Sequence, residues 1–246
     1  MKDNFSNNSA AYALFRPNYP DTVFRHILQF VTTRNNAWDC ATGNGQAAKE
    51  LAAHFTTVYA TDISENQISN AVQKDNIIYK IEPAEKTGFP GNFFDLVVVA
   101  QAIHWFNFDQ FYSEVKRTTK EGGVLAIIGY GNIETDGELN KSIKHFYTKI
   151  VGPYWDKERR YIDESYQTIP FPFAELTATT PLLKYEWTFE QLTGYFNTWS
   201  AVQHYIKANN ENPVATFSGE LKNAWKNERT REFSFPILMR IGRIHK

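Results

Sequence analysis

The sequence contains one cysteine, Cys40, among its 246 residues. A lone thiol cannot form a disulfide within the chain, and it cannot build a cysteine-based zinc site. The first residues, 1–6, are mostly polar and lack the apolar core of a signal peptide. Both features fit a reducing compartment, so we expect the protein to be cytoplasmic.

Long apolar runs and an excess of one charge sign are also absent. No run approaches the ~20 apolar residues that a helix needs to cross a bilayer. Twenty-six basic residues balance twenty-seven acidic ones and leave a formal charge of -1. This balance argues against binding to the phosphate backbone of nucleic acid or to an anionic membrane. We therefore expect neither as a partner, and the sequence indicates no oligomeric state.

Several enzyme signatures are missing as well, because the chain has no Ser-His-Asp signature, no Walker turn and no histidine motif for a metal. No metal is therefore predicted. Aromatic residues, by contrast, make up 15% of the chain. Some could line a pocket for an organic ligand, and an aromatic core is an equally simple explanation.

Strand and helix patterns alternate through the first half of the chain. Residues 21–33 carry apolar side chains at helical spacing. The predicted strands that follow are 37–40, 58–61, 77–81, 94–100 and 124–128, and the helices between them include 46–55 and 107–119. Such alternation predicts a doubly wound, mostly parallel α/β sheet.

After residue 131 the pattern changes to an aromatic-rich helical stretch and then to two further strands, at 182–187 and 233–244, with helices at 190–207 and 217–227. We predict one α/β domain over 1–246 with a seven-stranded sheet and a helical substrate cap. Its parts are a cofactor-binding core at 35–130, a helical cap insertion at 132–180, and C-terminal strands with helices at 181–246 that complete the sheet and the cap.

A glycine turn follows the first predicted strand. Gly43, Gly45 and Ala48 satisfy the spacing G-x-G-x-x-A, which suits any nucleotide-like cofactor beside a helix N-terminus. Asp39 lies inside the strand, where dinucleotide folds usually have an apolar residue. Its carboxylate can accept hydrogen bonds from N–H groups of the turn, or it is simply a solvated acid at the strand end.

Asp62 closes the second predicted strand at a separation from the turn near that of the ribose-binding acid of nucleotide folds. A carboxylate there can accept hydrogen bonds from both hydroxyls of a ribose. The alternative is an acid that helps to cap the helix that begins near Ser64.

The motifs of residues 35–130 resemble, in their order, those of class I S-adenosylmethionine-dependent methyltransferases. They are 39–45 (DCATGNG), Asp62, 83–85 (PAE), 94–97 (FDLV) and 122–125 (GGVL). Residues 12–20 and 100–106 are similar to the type 11 subgroup that includes trans-aconitate methyltransferase-like enzymes, and residues 169–173 and 198–202 extend that similarity.

The resemblance implies S-adenosylmethionine as the cofactor and S-adenosylhomocysteine as the product. It implies that Ala41 and Gly43 follow the methionine portion, that Asp62 takes the ribose, that Ile63 packs on the adenine and that Ala84 with Glu85 lies beside it. Ala41 stands where the family usually has glycine. The predicted cofactor-binding residues are Tyr12, Arg16, Asp39, Ala41, Gly43, Gly45, Asp62, Ile63, Ala84, Glu85 and Gln101.

Methyl transfer from a sulfonium is an in-line displacement that depends on alignment and exclusion of water, so it needs few catalytic residues and no metal. His104 and Trp105, just after the fourth strand, are the catalytic candidates. His104 could donate a hydrogen bond or remove a proton, or it packs structurally. Arg16 precedes the first helix in a segment that the family uses as a lid, and it could bind a carboxylate of the cofactor or of an acid, or form a surface ion pair.

Tyr154, Trp155 and Trp199 are candidates for the substrate pocket or for the core of the cap. Residues 157–160 (KERR) are most simply a solvated helix face. We predict a methyltransferase that acts on a small molecule, with O-methylation of a carboxylic acid as the favoured reaction. The alternatives are an NAD-dependent oxidoreductase and a non-catalytic protein that binds S-adenosylmethionine.

Overall fold

A computed structural model describes residues 14–177 and 182–246. Its described part contains a sheet of eight strands. The strands are β1 (Asn36–Cys40), β2 (Thr57–Asp62), β3 (Ile77–Ile81), β4 (Phe94–Ala100), β5 (Thr119–Tyr130), β6 (Ala174–Leu176), β7 (Leu182–Trp187) and β8 (Arg231–Arg243). The α-helices described are α1 (Asp21–Leu28), α2 (Gln46–Leu51), α3 (Glu65–Ser69), α4 (Phe108–Thr118), α5 (Gly137–His145), α6 (Arg160–Asp163), α7 (Phe189–Asn197), α8 (Ser200–Asn209) and α9 (Pro213–Trp225).

The strand order is β3-β2-β1-β4-β5-β8-β6, and β7 also pairs with β8. Strands β1 to β5 pair in parallel, whereas β8 runs antiparallel to β5. The chain builds outward from β1 to β3 and then returns to place β4 on the other side of β1. The carboxyl ends of β1 and β4 therefore flank the point where the order reverses, which is where open α/β sheets bind ligands.

The sheet separates two hydrophobic cores. Along β4, Leu96 and Val98 belong to one core, and Val97 and Val99 belong to the other. Successive side chains of a strand point to opposite faces, so a continuous apolar run is buried only when both faces are covered. The apolar side of α1 and apolar residues of α7 to α9 fill the first core, and Trp38, Phe94 and Phe111 fill the second.

The predicted fold class, a doubly wound and mostly parallel α/β sheet, is confirmed, but the prediction of seven strands is wrong by one. The additional strand is β6, which lies inside the range predicted as a helical cap. It forms because β8 is 13 residues long and pairs with β6 near its end and with β7 near its start. The predicted helix at 190–207 is also two helices, α7 and α8.

The division into core and cap stays a prediction. Residues 132–177 contain α5, α6, a π turn at Phe146–Ile150, 3₁₀ turns at Gly152–Tyr154 and Lys157–Arg159, and β6. Among the described residues, no helix is long and apolar enough to span a membrane.

A buried carboxylate, Asp95, joins the segment before β1 to the start of β4. It accepts hydrogen bonds from the backbone N–H groups of Asn35 and Asn36 at 2.8 and 2.9 Å, from the Thr33 hydroxyl at 2.5 Å and from the Lys120 ammonium at 2.6 Å. Burial alone would raise the pKa of Asp95, but these hydrogen bonds outweigh it and lower the pKa below its ordinary value. The ionised form thus holds β1 and β4 in register.

We expect Asp95→Asn to lower the free energy of unfolding by about 1.5–3 kcal/mol at neutral pH, because the amide cannot replace all of these charge-assisted hydrogen bonds. The pKa of Asp95 is lowered in the folded state, so its stabilisation is complete above the unfolded pKa of about 4 and is lost as the pH falls through the folded value. Urea unfolding between acidic and neutral pH measures both effects, with exposed Asp75→Asn as the matched control. A variant as stable as the wild type would contradict the assigned role.

Candidate functional site

A pocket opens at the carboxyl edge of the sheet. Its residues come from the ends of β1, β2, β4 and β5 and from the segment before α1. The lining residues are Arg16, Pro17, Tyr19, Ala41, Thr42, Gly43, Asn44, Gln46, Ala47, Asp62, Ile63, Ser64, Gln67, Ala100, Gln101, Ala102, Trp105 and Tyr130. Its volume is about 940 Å³, with open solvent at the mouth included.

The glycine turn between β1 and α2 has three residues in the left-handed region. The φ angles are +56° at Ala41, +55° at Gly43 and +83° at Gly45. Glycine adopts this conformation without strain, whereas a residue with a Cβ pays about 1–2 kcal/mol. Ala41 therefore keeps the backbone path of the turn at some energetic cost, even though it is not glycine.

Asp62 connects the turn to the next strand. Its carboxylate accepts hydrogen bonds from the backbone N–H groups of Gly43 and Ser64, each at 2.9 Å. Ser64 in turn caps α3 by accepting from the N–H of Gln67. Asp62 lines the pocket and each carboxylate oxygen can accept more than one hydrogen bond, so the group is placed to receive hydroxyl donors from a ligand.

Asp39 is fully buried and is not among the residues that line the pocket. One oxygen, Oδ2, accepts from the Thr42 hydroxyl, and Oδ1 has no hydrogen-bond partner among the described residues. Burial raises the pKa of Asp39 to about 6. The Asp39 carboxyl group therefore lies beneath the glycine turn and binds the Thr42 side chain of that turn. It does not form part of the pocket lining.

Three other predicted cofactor residues are also not among those that line the pocket: Gly45, Ala84 and Glu85. A Cβ added at Gly45 would come within 2.3 Å of the Tyr79 hydroxyl, so glycine is required there for packing as well as for its φ angle. Ala84 is buried, and Glu85 accepts the backbone N–H of Asn107 at the start of α4. Tyr12 lies outside the described residues.

Gln101 closes the opposite side of the pocket. It follows β4 with a φ of +57°, and its amide pairs with the backbone of Tyr130: Oε1 accepts the N–H at 2.8 Å, and Nε2 donates to the carbonyl at 3.3 Å. The Tyr19 hydroxyl also donates to Oε1 at 3.3 Å. The side chain thus acts as a bridge between β4, β5 and the segment before α1.

Arg16 lies over this bridge and lines the pocket. Its Nε donates to the Thr198 hydroxyl at 2.8 Å, Nη2 donates to the Thr198 carbonyl at 2.9 Å, and Nη1 donates to the Tyr130 hydroxyl at 3.1 Å. Each nitrogen of the guanidinium therefore already serves a protein acceptor. This arrangement fastens the segment before α1 to the C-terminal helices, which differs from a surface ion pair.

A second cavity adjoins the first and shares Arg16, Gln101 and Trp105 with it. The remaining lining residues are His104, Trp155, Asp156, Arg159, Ile162 and Ser200. Its volume is about 420 Å³, with open solvent included. We call it the inner cavity. The two cavities therefore adjoin at these three shared side chains.

His104 lines the inner cavity as a buried, neutral imidazole. Burial and the nearby charge of Arg159 lower the pKa of His104 to about 3. Its Nδ1 is buried and has no hydrogen-bond partner among the described residues. The ring also lies 4.9 Å from that of Trp105 and 6.3 Å from that of Tyr166, between centroids. A group this weakly basic is a poor acceptor for a proton at neutral pH.

The three predicted cap aromatics separate into different environments. Trp155 lines the inner cavity. Trp199 is instead buried in the core, with its ring centroid 4.6 Å from that of Phe196, and Tyr154 packs against Tyr205 away from both cavities. The positions of Trp199 and Tyr154 therefore do not support their predicted role in substrate binding, because both rings pack against rings of the C-terminal helices.

Sequence reasoning missed several lining residues. Thr42, Asn44, Ser64 and Gln67 of the first pocket flank the recognised motifs, so their proximity to the motifs was the available signal. No motif near Arg159 indicated a pocket residue. The sequence placed residues 157–160 on a solvated helix face, and that interpretation is wrong for Arg159. Its side chain is only 13% exposed and lines the inner cavity.

Comparisons with known proteins agree with this geometry. A model of the type 11 methyltransferase domain matches residues 38–127. A protein of Dictyostelium discoideum named "Putative methyltransferase" is 34% identical over 245 residues, which cover 96% of this chain and 93% of that one. A solved structure from Anaeromyxobacter dehalogenans, described as a putative type II methyltransferase, has a TM-score of 0.86 and 36% identity and covers 94% of this chain and 99% of that one.

A more distant structure shares the fold alone. Phosphoethanolamine N-methyltransferase 2 of Haemonchus contortus, in complex with phosphomonomethylethanolamine and S-adenosylhomocysteine, has a TM-score of 0.50 and 17% identity and covers 98% of this chain and 58% of that one. The first two matches extend over nearly the whole chain, and the first pocket lies at the switch point of the sheet. The chain therefore belongs to the class I S-adenosylmethionine-dependent methyltransferases.

Proposed function

We propose that this enzyme methylates a carboxylate oxygen of a small organic acid, and that it belongs to the trans-aconitate methyltransferase-like subgroup of its family. One observation carries the proposal: the inner cavity shares lining residues with the first pocket and is lined by the guanidinium of Arg159, whose Nη1 donates to no acceptor in the described part of the chain. Guanidinium groups match the planar geometry of carboxylates, with which they form paired hydrogen bonds.

The residues of the first pocket fit S-adenosylmethionine. Gly43 lines the wall, where an added Cβ would lie 3.9 Å from the Gln67 side chain, and the Asp62 carboxylate accepts the Gly43 N–H. We assign the ribose hydroxyls to Asp62, the adenine face to Ile63, and the methionine portion to Ala41, Gly43 and the lid residue Arg16. When bound, this cofactor supplies a methyl group on a sulfonium.

His104 supports an acceptor that needs no deprotonation. A phenol, an alcohol or an ammonium group must lose a proton when it is methylated, whereas a carboxylate is already ionised at neutral pH. With its pKa near 3, the imidazole of His104 is suited to donate or accept a hydrogen bond and unsuited to take up the proton. We assign it, with Trp105, the orientation of the acceptor against the first pocket.

The walls would then act mainly by alignment and by exclusion of water. Bringing a carboxylate oxygen in line with a sulfonium removes two opposite charges as the new bond forms. Displacement of water by the bound acceptor would favour this loss of charge over the separated ions. Trp105 and Trp155 supply the apolar surfaces of the inner cavity, and Gln101 fixes the common wall.

The reaction can be tested with labelled S-adenosylmethionine and a panel of di- and tricarboxylic acids beside phenols, amines and quinols. We expect label in base-labile products from the acids, because hydroxide cleaves methyl esters. Label confined to base-stable ethers, amines or C-methyl products would refute the carboxylate acceptor. No labelled product from any class would favour a protein that only binds the cofactor.

Asp62→Asn should weaken binding of S-adenosylhomocysteine by about 10–100-fold, which corresponds to the loss of hydrogen bonds to a charged group. Isothermal titration calorimetry measures the affinity, and the exposed Glu65→Gln provides a matched control on the adjacent helix. Circular dichroism must show that the variant is folded, because Asp62 also holds the glycine turn. Unchanged affinity in a folded variant would remove Asp62 from the site.

His104→Gln should leave cofactor affinity unchanged and lower kcat by less than about 10²-fold, because general acid or base catalysis, which usually contributes more, is not assigned to it. The pH dependence of kcat should keep its shape from about pH 6 to pH 9, since the imidazole stays neutral throughout that range. Exposed His245→Gln is the control. Loss of an ionisation from the wild-type profile would make His104 a catalytic base after all.

A further inference from the structure

We infer that Arg159 determines acceptor specificity by binding a carboxylate other than the one that receives the methyl group. This inference rests on the proposed function, because it assumes that the inner cavity holds the acceptor. It follows from the position of Arg159, from its uncommitted hydrogen-bond donors and from its incomplete charge pairing.

The position of Arg159 separates it from the reacting atoms. The two cavities adjoin at Arg16, Gln101 and Trp105. Under the proposed function, the methyl group passes from the cofactor to the acceptor beside these residues. Arg159 belongs to the part of the inner cavity that the first pocket does not share. An anion bound by Arg159 therefore lies away from the crossing point, and the reacting oxygen must belong to another group of the same molecule.

The guanidinium of Arg159 is anchored but not saturated. Its Nε donates to the Tyr147 hydroxyl at 2.9 Å, and Nη2 donates to the Asn132 carbonyl oxygen of the side chain. Of the five N–H groups, both on Nη1 and the second on Nη2 donate to no acceptor in the described part of the chain. These three form the end of the fork, which can hold a carboxylate through two parallel hydrogen bonds.

Aromatic rings hold the guanidinium in place. Its central carbon lies 4.5 Å from the Trp155 ring centroid and 5.4 Å from that of Tyr147. Such stacking limits the freedom of the side chain, so little further order is lost when a ligand binds. Lysine has no planar fork and cannot stack in this way.

The positive charge of Arg159 is only partly balanced. Among the described residues, the carboxylate oxygen paired with Arg159 is Oδ1 of Asp163, 3.8 Å from Nε, and it already accepts from the Tyr147 hydroxyl and the Asn132 amide. The Arg159 side chain is 13% exposed, so water solvates the charge poorly. A ligand carboxylate would complete the pair at low cost, since the guanidinium is already desolvated.

Asp156, three residues before Arg159, is another charged group of the inner cavity. It lines the same cavity, and its Oδ2 lies 3.8 Å from Nδ1 of His204. A like charge beside this carboxylate would be repelled. The acceptor should therefore carry one carboxylate against Arg159 and a second, the reacting one, at the common wall.

The test compares tricarballylate, which has three carboxylates, with butyrate, which has one. With labelled S-adenosylmethionine, Arg159→Gln should lower kcat/KM for tricarballylate by about 10–100-fold, mainly through KM, and change that for butyrate by less than about 3-fold. Arg159→Lys should restore only part of the loss. Exposed Arg160→Gln, one residue further along, is the control and should resemble the wild type.

Calorimetry of tricarballylate with the S-adenosylhomocysteine complex separates this inference from the proposed function. Binding that Arg159→Gln abolishes, without label transfer in the wild type, would overturn the acceptor proposal and leave the Arg159 site standing. Label transfer with equal losses for both acids in Arg159→Gln would overturn the specificity role alone and make Arg159 structural. Neither binding nor transfer in the wild type would overturn both.

Discussion

The hydrogen bonds from the backbone N–H groups of Gly43 and Ser64 to the Asp62 carboxylate tie the carboxyl end of β1 to that of β2. The backbone N–H of Thr42 also donates to the carbonyl of Thr61 at 2.9 Å, so the glycine turn is joined to β2 through its backbone as well as through the Asp62 side chain. The same carboxylate lines the first pocket. One side chain therefore joins the glycine turn to β2 and also forms part of the pocket wall.

The opposite wall depends on a second bridge of the same kind. The Gln101 amide pairs with the Tyr130 backbone and joins the ends of β4 and β5, where a plain strand would leave polar groups unpaired. Arg16 then binds Tyr130 and Thr198, so the segment before α1 and the C-terminal helices meet over the pocket. The two cavities share a wall because these three contacts converge on one place.

Electrostatics in the inner cavity follow from burial next to a cation. Burial is the main cause that disfavours protonation of His104, and the charge of Arg159 adds to it, so the imidazole stays neutral at neutral pH. A low-dielectric cavity with a fixed cation favours an anionic ligand that arrives already ionised. This physical setting supports a carboxylate acceptor more than it supports one that must be deprotonated in place.

The sequence by itself determined the α/β class, the glycine turn and the placement of Ala41, Gly43, Asp62, Ile63 and Gln101 near one edge. These inferences succeeded because parallel strands end at a common edge, so local order along the chain already implies proximity in space. Tertiary structure alone decided the rest. The residues that were predicted for the cofactor site but do not line the pocket are Asp39, Gly45, Ala84 and Glu85. Trp199 and Tyr154 pack against other aromatic rings instead of lining a cavity. Arg159, which the sequence placed on a solvated helix face, lines the inner cavity. The orientation of a side chain on a packed helix or turn depends on distant residues such as Tyr79, Tyr147 and Phe196, and no local pattern encodes those contacts.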